Sequence, residues 1–315
     1  MKYLFGPVPS RRLGLSLGID LLNSKICNFD CIYCEVGKTT LKTNKRGLFV
    51  NKKEVLVGLE TYLKSCSTRP DFLTFSGSGE PTLHQEIGNI INEIKSITTI
   101  PIAVITNSTL LNDPCVRTDL KKANLVLPSL DAVTQEVFLK INRPVQEIIV
   151  QDIISGLETF RKEYAGQIWL EILFCEGIND STEEIIKMKE IIDTKIRPDK
   201  IQINTVVRPP LENYVQPLLQ DRLFEIKGIL GEKAELIVNF KNTTLVTKTK
   251  KEINNKIKKI IATMVERRPS TLEDIATSLS LNKTELAIYL GQMISEQKLS
   301  AKKHDDKLYY YAHIQ

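Results

Sequence analysis

Short apolar stretches alternate with longer stretches of helical periodicity between residues 15 and 240. Each of the six apolar stretches has the length of a strand and is apolar almost throughout, as expected of strands that are covered on both faces. This alternation is typical of βαβ units around a parallel sheet. The predicted strands are 15–22, 71–75, 101–106, 124–130, 167–174 and 200–206.

Helices are predicted in the stretches that separate these strands. Asp113 precedes a proline and Ser181 is soon followed by two glutamates, and both are typical helix starts. Six repeats of strand and helix are compatible with a doubly wound sheet or with a partial barrel, so the predicted fold class is α/β. The predicted helices are 52–64, 83–95, 113–121, 148–164, 182–192 and 216–230.

The C-terminal quarter differs from the rest in charge. Residues 1–240 contain 29 Lys and Arg against 30 Asp and Glu, whereas residues 241–315 contain 14 against 8. We therefore predict two domains, 1–240 and 241–315. The basic excess favours a polyanion partner such as RNA, with a solvated helix face or a protein-docking module as the alternatives.

The order of elements in this quarter predicts a small winged helix-turn-helix domain. Three helices are predicted first, and two strands with hairpin character follow them. The helices are 252–265, 272–279 and 284–296, and the strands are 298–303 and 307–311.

Three of the six cysteines, Cys27, Cys31 and Cys34, fall within eight residues after the first predicted strand. Sparse, clustered cysteines favour a metal centre over a disulfide framework. A structural zinc site requires a fourth ligand, and none of the three histidines has finger-like spacing. A 4Fe-4S cluster held by three cysteines leaves one iron open to an exogenous ligand, as a catalytic cluster requires.

This cysteine spacing resembles the C-x-x-x-C-x-aromatic-C signature of the radical S-adenosylmethionine (radical SAM) superfamily, with Tyr33 as the aromatic residue. The resemblance implies a partial (β/α)6 barrel of the TIM type, one 4Fe-4S cluster on the three cysteines, and bound S-adenosylmethionine. It also implies that one electron cleaves the cofactor to methionine and a 5′-deoxyadenosyl radical, which abstracts a hydrogen atom from a substrate.

Two further turns resemble the cofactor-binding motifs of this superfamily. The segment Gly77-Ser78-Gly79-Glu80 is similar to its Gly-Gly-Glu motif, which is implied to meet the methionyl amino group, although Ser78 is an insertion. Small residues let the backbone approach an ammonium group closely. Asn107 lies in a turn that resembles the family's Thr-Asn-Gly turn.

The next strand ends supply further candidates for cofactor contact. Ser129 and Asp131 resemble the segment that holds the carboxylate or ribose of the cofactor, and Arg143 is a candidate clamp for that carboxylate. A helix N-cap is the alternative role for Asp131, and a solvated surface position is the alternative for Arg143.

Polar residues in the last two predicted strands complete the candidate set. Glu171 lies in an apolar run and is expected to point into a polar barrel lumen, because a buried carboxylate without a partner is unfavourable. Asn204 is predicted to contact the adenosine or to satisfy backbone groups at the rim. Cys175 is a weak candidate for a hydrogen donor or an extra ligand. No second Cys-x-x-Cys pair is present, so an auxiliary cluster is not expected.

Two segments that flank the predicted barrel suggest a narrower group. The first is an N-terminal arm that ends in Arg11 and Arg12, and the second is Arg208 followed by two prolines. Both resemble segments of a subfamily of stand-alone iron-sulfur oxidoreductases that is often grouped with wyosine-type transfer RNA modification enzymes. This match spans residues 4–211. The two arm arginines either reach a substrate phosphate or hold the arm against the barrel.

Three functions remain open from the sequence. The first is a radical SAM enzyme that acts on RNA, such as transfer RNA, and the second is one that acts on a peptide, protein or metabolite. The third is a non-catalytic iron-sulfur regulator that binds DNA. A low-potential flavodoxin or ferredoxin is the expected electron donor. Because the longest apolar stretches are strand-sized and no signal peptide is evident, we expect a cytoplasmic protein without membrane association.

Overall fold

The computed structural model describes residues 2–66, 68–237, 253–279, 281 and 283–312. The strands are β1 (Leu4–Ser10), β2 (Gly14–Ile19), β3 (Ile26–Cys27), β4 (Leu41–Lys42), β5 (Phe72–Phe75), β6 (Ile102–Thr106), β7 (Leu125–Pro128), β8 (Gln167–Phe174), β9 (Lys200–Thr205), β10 (Ala234–Leu236), β11 (Ser270–Thr271), β12 (Leu299–His304) and β13 (Lys307–Ala312). The α-helices are α1 (Lys52–Ser65), α2 (Ile87–Ile97), α3 (Pro114–Leu120), α4 (Gln135–Asn142), α5 (Val150–Glu163), α6 (Thr182–Ile191), α7 (Gln220–Leu230), α8 (Ile253–Arg267), α9 (Leu272–Leu279) and α10 (Lys283–Ser295).

Eight strands form the main sheet in the order β1-β2-β5-β6-β7-β8-β9-β10. The strands from β2 to β10 are mutually parallel, and β1 is antiparallel to its neighbour. Each strand lies beside the one before it, whereas a doubly wound sheet reverses direction at a switch point. The fold is therefore α/β with an open, singly wound parallel sheet, as in a partial barrel.

All six predicted strands are present, and the sheet has two more that the sequence did not predict. The first, β1, contains Pro7 and Pro9, and proline disfavours a strand except at an edge, which is where β1 lies. The second, β10, has only three residues and is too short to show a pattern. Asp113 and Ser181 both cap helices, by accepting hydrogen bonds from the backbone N–H groups of Cys115 and Glu184.

The strands bury both of their faces. Along β7, Val126 joins the large core beneath the helices, while Leu125 and Leu127 join a smaller cluster with Leu13 and Ala103 on the opposite face. This two-sided burial explains why the strands have almost continuous apolar sequences. Among the described helices, none combines the length and the apolar character that a membrane span requires.

The C-terminal module, which we define as residues 253–312, contains α8, α9, α10 and a three-stranded antiparallel sheet in the order β11-β13-β12. It has its own apolar core, and Val8 of β1 is part of that core. The module therefore packs against the edge strand of the main sheet. The predicted domain boundary at residue 240 lies outside the described residues.

Candidate functional site

The three clustered cysteines lie at the end of β3 and on the loop that follows it. Cys27 is buried, and the loop is anchored by the buried side chains of Phe29 and Ile32. The side chains of Cys31 and Cys34 are partly exposed. The loop therefore presents its thiols on a rigid apolar base.

Each cysteine sulfur accepts a hydrogen bond from a side-chain nitrogen, and the three donors lie in different segments of the chain. Nitrogen donors beside thiolates stabilise the charge on sulfur and hold the ligands in place. The three pairs are Asn107 Nδ2 to Cys27 Sγ at 3.6 Å, Asn142 Nδ2 to Cys31 Sγ at 3.4 Å, and Lys25 Nζ to Cys34 Sγ at 2.6 Å.

The chemistry of these thiols fits a soft, multinuclear cation. Burial raises the pKa of Cys27 to about 12, and burial together with the neighbouring Cys34 raises the pKa of Cys31 well above its usual value. Bound metal replaces such protons. Among the described residues, no three Cys, His, Asp or Glu side chains are placed to hold a single metal ion. The donor set of three thiols fits a 4Fe-4S cluster, which these cysteines would hold together.

The glycine-rich turn after β5 is pressed against the start of the cysteine loop. A β-carbon on Gly79 would lie 1.8 Å from the carbonyl oxygen of Ile26, and one on Gly77, whose φ is +139°, would lie 2.5 Å from Asp20 Cγ. The inserted Ser78 donates its N–H and its Oγ hydrogen to Asp20 Oδ2, at 3.1 and 2.6 Å. Ser78 therefore fastens this turn to the residue that follows β2.

Glu80 connects this turn to the next strand end. Its carboxylate accepts hydrogen bonds from the hydroxyls of Thr82 and Thr106 and from the backbone N–H of Asn107 at 2.7 Å. Burial raises its pKa. Because the Asn107 side chain donates to Cys27 Sγ, Glu80 links the glycine-rich turn to a sulfur contact.

Asp131 anchors the cysteine loop to the sheet. It accepts hydrogen bonds from the Tyr33 hydroxyl, from Asn142 Nδ2 at 2.8 Å and from the backbone N–H of Leu173 at 3.0 Å. The alternative role as a helix N-cap is wrong, because α4 begins at Gln135 with Thr134 in the cap position. Burial raises the pKa of Asp131.

Arg143 is partly exposed and is paired with groups of neighbouring segments. It ends α4 in the left-handed region (φ 43°), and its guanidinium donates to the carbonyl oxygen of Asp30 at 2.8 Å and to Glu212 Oε1 at 2.7 Å. Its Nη2 is buried and has no hydrogen-bond partner within the described part of the chain. That nitrogen lies 3.9 Å from Asp30 Oδ2, at ion-pair distance, and the carboxylate clamp stays a prediction.

Glu171 and Asn204 face each other across β8 and β9. Asn204 Nδ2 donates to Glu171 Oε1 at 3.0 Å, Arg12 forms an ion pair with the same carboxylate, and Arg11 Nη1 donates to Asn204 Oδ1 at 3.2 Å. The arginines thus hold the N-terminal arm against the barrel, and a phosphate contact by either of them stays a prediction. Direct cofactor contact by Glu171 or Asn204 stays a prediction.

The remaining two candidates differ in their surroundings. Ser129 forms a β-bridge with Glu171 at the strand ends, and its carbonyl oxygen accepts the hydroxyl hydrogen of Ser108 at 2.8 Å. Cys175 is completely buried in the apolar core, and burial raises the pKa of its thiol. A buried, protonated thiol of this kind packs as a small apolar side chain, and a role for Cys175 as hydrogen donor or ligand stays a prediction.

The C-terminal module is linked to the glycine-rich turn through the ion pair of Arg267 with Asp20. Arg267 Nε lies 2.8 Å from Oδ2 of Asp20, the carboxylate that also holds Ser78. Asp20 is only 1% exposed. Sequence reasoning missed this residue, although a carboxylate directly after an apolar strand is a signal that could have identified it.

A second contact joins the module to the cysteine loop. Arg208, which follows β9, lies 3.2 Å from Glu35, the residue after Cys34, and 3.6 Å from Asp274 of α9. The hydroxyl of Tyr309 donates to the carbonyl oxygen of Val207 at 2.7 Å. Asp20 and Arg208 therefore link the module to both loops that the sequence predicted to bind the cofactors.

Comparisons with known sequences give a consistent family. The sequence model of the radical SAM superfamily matches residues 24–188. A UPF0026 protein of Methanocaldococcus jannaschii is 32% identical over 321 residues, which cover 100% of this chain and 97% of that protein. A Brachyspira hyodysenteriae protein named GTPase Obg is 32% identical over 313 residues, and this chain spans 45% of its length.

A solved structure supports the fold. A radical SAM methyltransferase from Sphaerobacter thermophilus superposes with a TM-score of 0.54 at 14% identity, over 70% of this chain and 65% of that one. At such low identity the likeness extends to the fold alone.

Proposed function

The chain belongs to the radical SAM superfamily, whose members use a 4Fe-4S cluster and S-adenosylmethionine, and on that premise we propose that it is a radical SAM enzyme that removes a hydrogen atom from a nucleotide of RNA. The observation that carries the enzymatic part is the loop of Cys27, Cys31 and Cys34, in which each sulfur meets its own nitrogen donor.

The two cofactors supply the difficult step when they are bound, because one electron splits S-adenosylmethionine into methionine and a 5′-deoxyadenosyl radical. The protein binds and orients them. Cys27, Cys31 and Cys34 hold the cluster, while Lys25 compensates negative charge at the third sulfur. A flavodoxin or ferredoxin type protein is the proposed electron donor.

The strand ends beside the cluster loop are the proposed binding site of S-adenosylmethionine. The residues that would contact it are those predicted from the sequence. Support comes from their linkage, because Glu80 and Asp131 hold neighbouring turns in place and Arg143 Nη2 has no hydrogen-bond partner in the described chain. The proposed contacts are Tyr33, Gly77, Ser78, Gly79, Glu80, Asn107, Ser129, Asp131, Arg143, Glu171 and Asn204.

The C-terminal module is proposed to be a winged helix that recognises RNA. The order of its three helices and its β-sheet supports the winged-helix assignment. Among the described residues, Lys302 and Lys307 on the hairpin have no ion-pair partner and are exposed, as phosphate contacts require.

We expect transfer RNA to bind the full chain in a filter-binding assay, with an affinity that falls steeply as the salt concentration rises. Salt-independent binding, or none, would favour a protein or metabolite substrate.

The enzymatic proposal is tested by anaerobic reconstitution with iron and sulfide. After reduction by dithionite with S-adenosylmethionine present, we expect 5′-deoxyadenosine to be detected by chromatography. The Cys31→Ala variant is expected to produce none, because one of the three cluster ligands is missing. Cys115→Ala is the matched control, since this cysteine is exposed and lies on α3, and it is expected to retain full production.

The contrary result has a clear meaning. If the reconstituted protein contains a reducible cluster but yields no 5′-deoxyadenosine even with cellular RNA added, the enzymatic proposal fails. The iron-sulfur regulator would then be the better explanation.

Replacing Lys25 by methionine is expected to lower the reduction potential of the cluster. The ammonium group lies 2.6 Å from Cys34 Sγ, and a positive charge there favours the more negative, reduced form. A redox titration followed by electron paramagnetic resonance measures the shift. Lys38→Met is the control, because Lys38 is exposed and makes no contact with a sulfur in the described structure. Equal potentials in the wild type and Lys25→Met would show that the lysine does not act on the cluster.

A further inference from the structure

A cavity of about 490 Å³ lies between the main sheet and the C-terminal module. The end of the N-terminal arm, the residues after β9, the start of α9 and the start of β13 form its walls. Its volume falls within the range of small-molecule sites. None of the proposed ligands of the cluster or of S-adenosylmethionine lines it.

The charged groups of the cavity do not balance. Four cationic and two acidic residues line it, and each acidic residue already faces a cation. Glu273 pairs with Lys283, and Asp274 lies 3.6 Å from Arg208. The other two cationic residues, Arg11 and Lys307, have no carboxylate within ion-pair distance in the described chain. Within the described residues, the cavity therefore has two positive charges without an ion-pair partner.

Three arginine side chains lie close together at the cavity wall, and two of them, Arg11 and Arg208, line it. Arg11 and Arg268 lie near Arg208, and burial together with that like charge lowers the pKa of Arg11 and lowers the pKa of Arg268 to about 10. Two nearby carboxylates, Glu35 and Asp274, compensate these three guanidinium groups in part. Desolvated cations that repel one another are stabilised by an added anion.

The rest of the lining is apolar apart from Thr271, Thr277 and the hydroxyl of Tyr309. Leu308, which is 49% exposed, and Leu272 form one side, and the hydrogen bond from Tyr309 to the carbonyl oxygen of Val207 fixes the wall beside them. A ligand that fills this space has an anionic end and a flat apolar part. A nucleotide has both, whereas a bare phosphate would leave the leucine side empty.

We propose that this cavity binds one nucleotide, with its phosphate between Arg11 and Lys307 and its base over Leu272 and Leu308. The proposal rests on the proposed function in one respect only, which is the interpretation of the nucleotide's position beside the barrel. Arg11 also donates to Asn204 in the barrel, so the nucleotide would sit where a substrate approaches the barrel. Binding itself needs neither the cluster nor S-adenosylmethionine.

Calorimetric titration of the full chain with adenosine 5′-monophosphate tests the proposal. We expect binding of the monophosphate to be stronger than binding of adenosine, because the charge-assisted contacts depend on the phosphate. Lys307→Gln is expected to weaken binding of the monophosphate about tenfold. Lys303→Gln is the matched control, since Lys303 lies on the same hairpin, is exposed and does not line the cavity, and it is expected to leave the affinity unchanged.

Competition distinguishes the source of the nucleotide. If a short single-stranded RNA displaces the monophosphate, the natural ligand is a nucleotide of RNA. If the monophosphate stays bound in the presence of RNA, the natural ligand is a free nucleotide. Both results support the cavity as a nucleotide site. Equal affinity for adenosine and its monophosphate would overturn the proposal, as would equal losses in Lys307→Gln and Lys303→Gln. Displacement by polyglutamate but not by RNA would also overturn it in favour of an acidic peptide. Because this titration needs no cluster, its failure is separate from absence of 5′-deoxyadenosine production.

Discussion

Replacing Gly79 by alanine is expected to destabilise the folded protein by about 3 kcal/mol and to reduce the amount of iron retained after reconstitution. The added β-carbon would lie 1.8 Å from the carbonyl oxygen of Ile26 and 2.6 Å from its carbonyl carbon. Since these are backbone atoms, a side-chain rotation cannot relieve the clash. The turn must move away from the start of the cysteine loop. Urea unfolding of the protein without iron and a colorimetric iron assay measure the two effects.

Gly228→Ala is the matched control for this change. Gly228 lies in α7, and a β-carbon added there would meet nothing within 4 Å in the described structure. Alanine in a helix reduces the entropy of the unfolded chain, so we expect equal or slightly greater stability. An unchanged unfolding free energy in Gly79→Ala would contradict the close packing of the two segments.

Removing Arg267 is expected to cost about 3 kcal/mol of stability at neutral pH, because it leaves the buried Asp20 carboxylate without its cation. Burial already raises the pKa of Asp20. A carboxyl group with a raised pKa in the folded state favours folding when protonated, and this contribution is lost as the pH rises through that pKa. The penalty in Arg267→Ala should therefore be largest at neutral pH and should shrink in acid. Unfolding curves measured across the acidic to neutral range test this dependence.

Two variants distinguish the effect of the unpaired Asp20 charge on stability from the general effect of losing an arginine side chain. Arg267→Ala combined with Asp20→Asn should recover part of the stability at neutral pH, since the unpaired charge is gone. Lys303→Ala removes an exposed ion pair with Asp306 in the same module and should cost less than about 1 kcal/mol. A loss in Arg267→Ala that does not vary with pH would show that Asp20 is not its partner in solution.

The local features of this chain were predictable, and the contacts between distant segments were not. Near-continuous apolar sequence identified all six predicted strands, because both of their faces are buried. The cysteine spacing identified the candidate cluster loop without knowledge of the fold. The pairing of Asp20 with Arg267 joins residues far apart in sequence, and no period or spacing reveals it.

Alternatives that depend on where a side chain points also required the structure. Asp131 and the residue three positions later, Thr134, are both plausible helix caps by composition, and only the backbone places Thr134 at the cap of α4. Likewise, Arg143 is a surface arginine by pattern, but its ion pair with Glu212 depends on a loop that follows β9. Local sequence preference does not determine such long-range partners.

The contacts of Val8, Asp20 and Glu35 with the C-terminal module have a practical consequence for protein preparation. A barrel fragment that ends before the module would expose the apolar edge of β1, and it would leave Asp20 without Arg267 and Glu35 without the nearby charge of Arg268. Such a fragment is expected to aggregate during expression. An experiment that deletes the module would then detect insolubility of the barrel and not loss of substrate recognition. Point substitutions in the full chain are therefore the better way to assign the module's role.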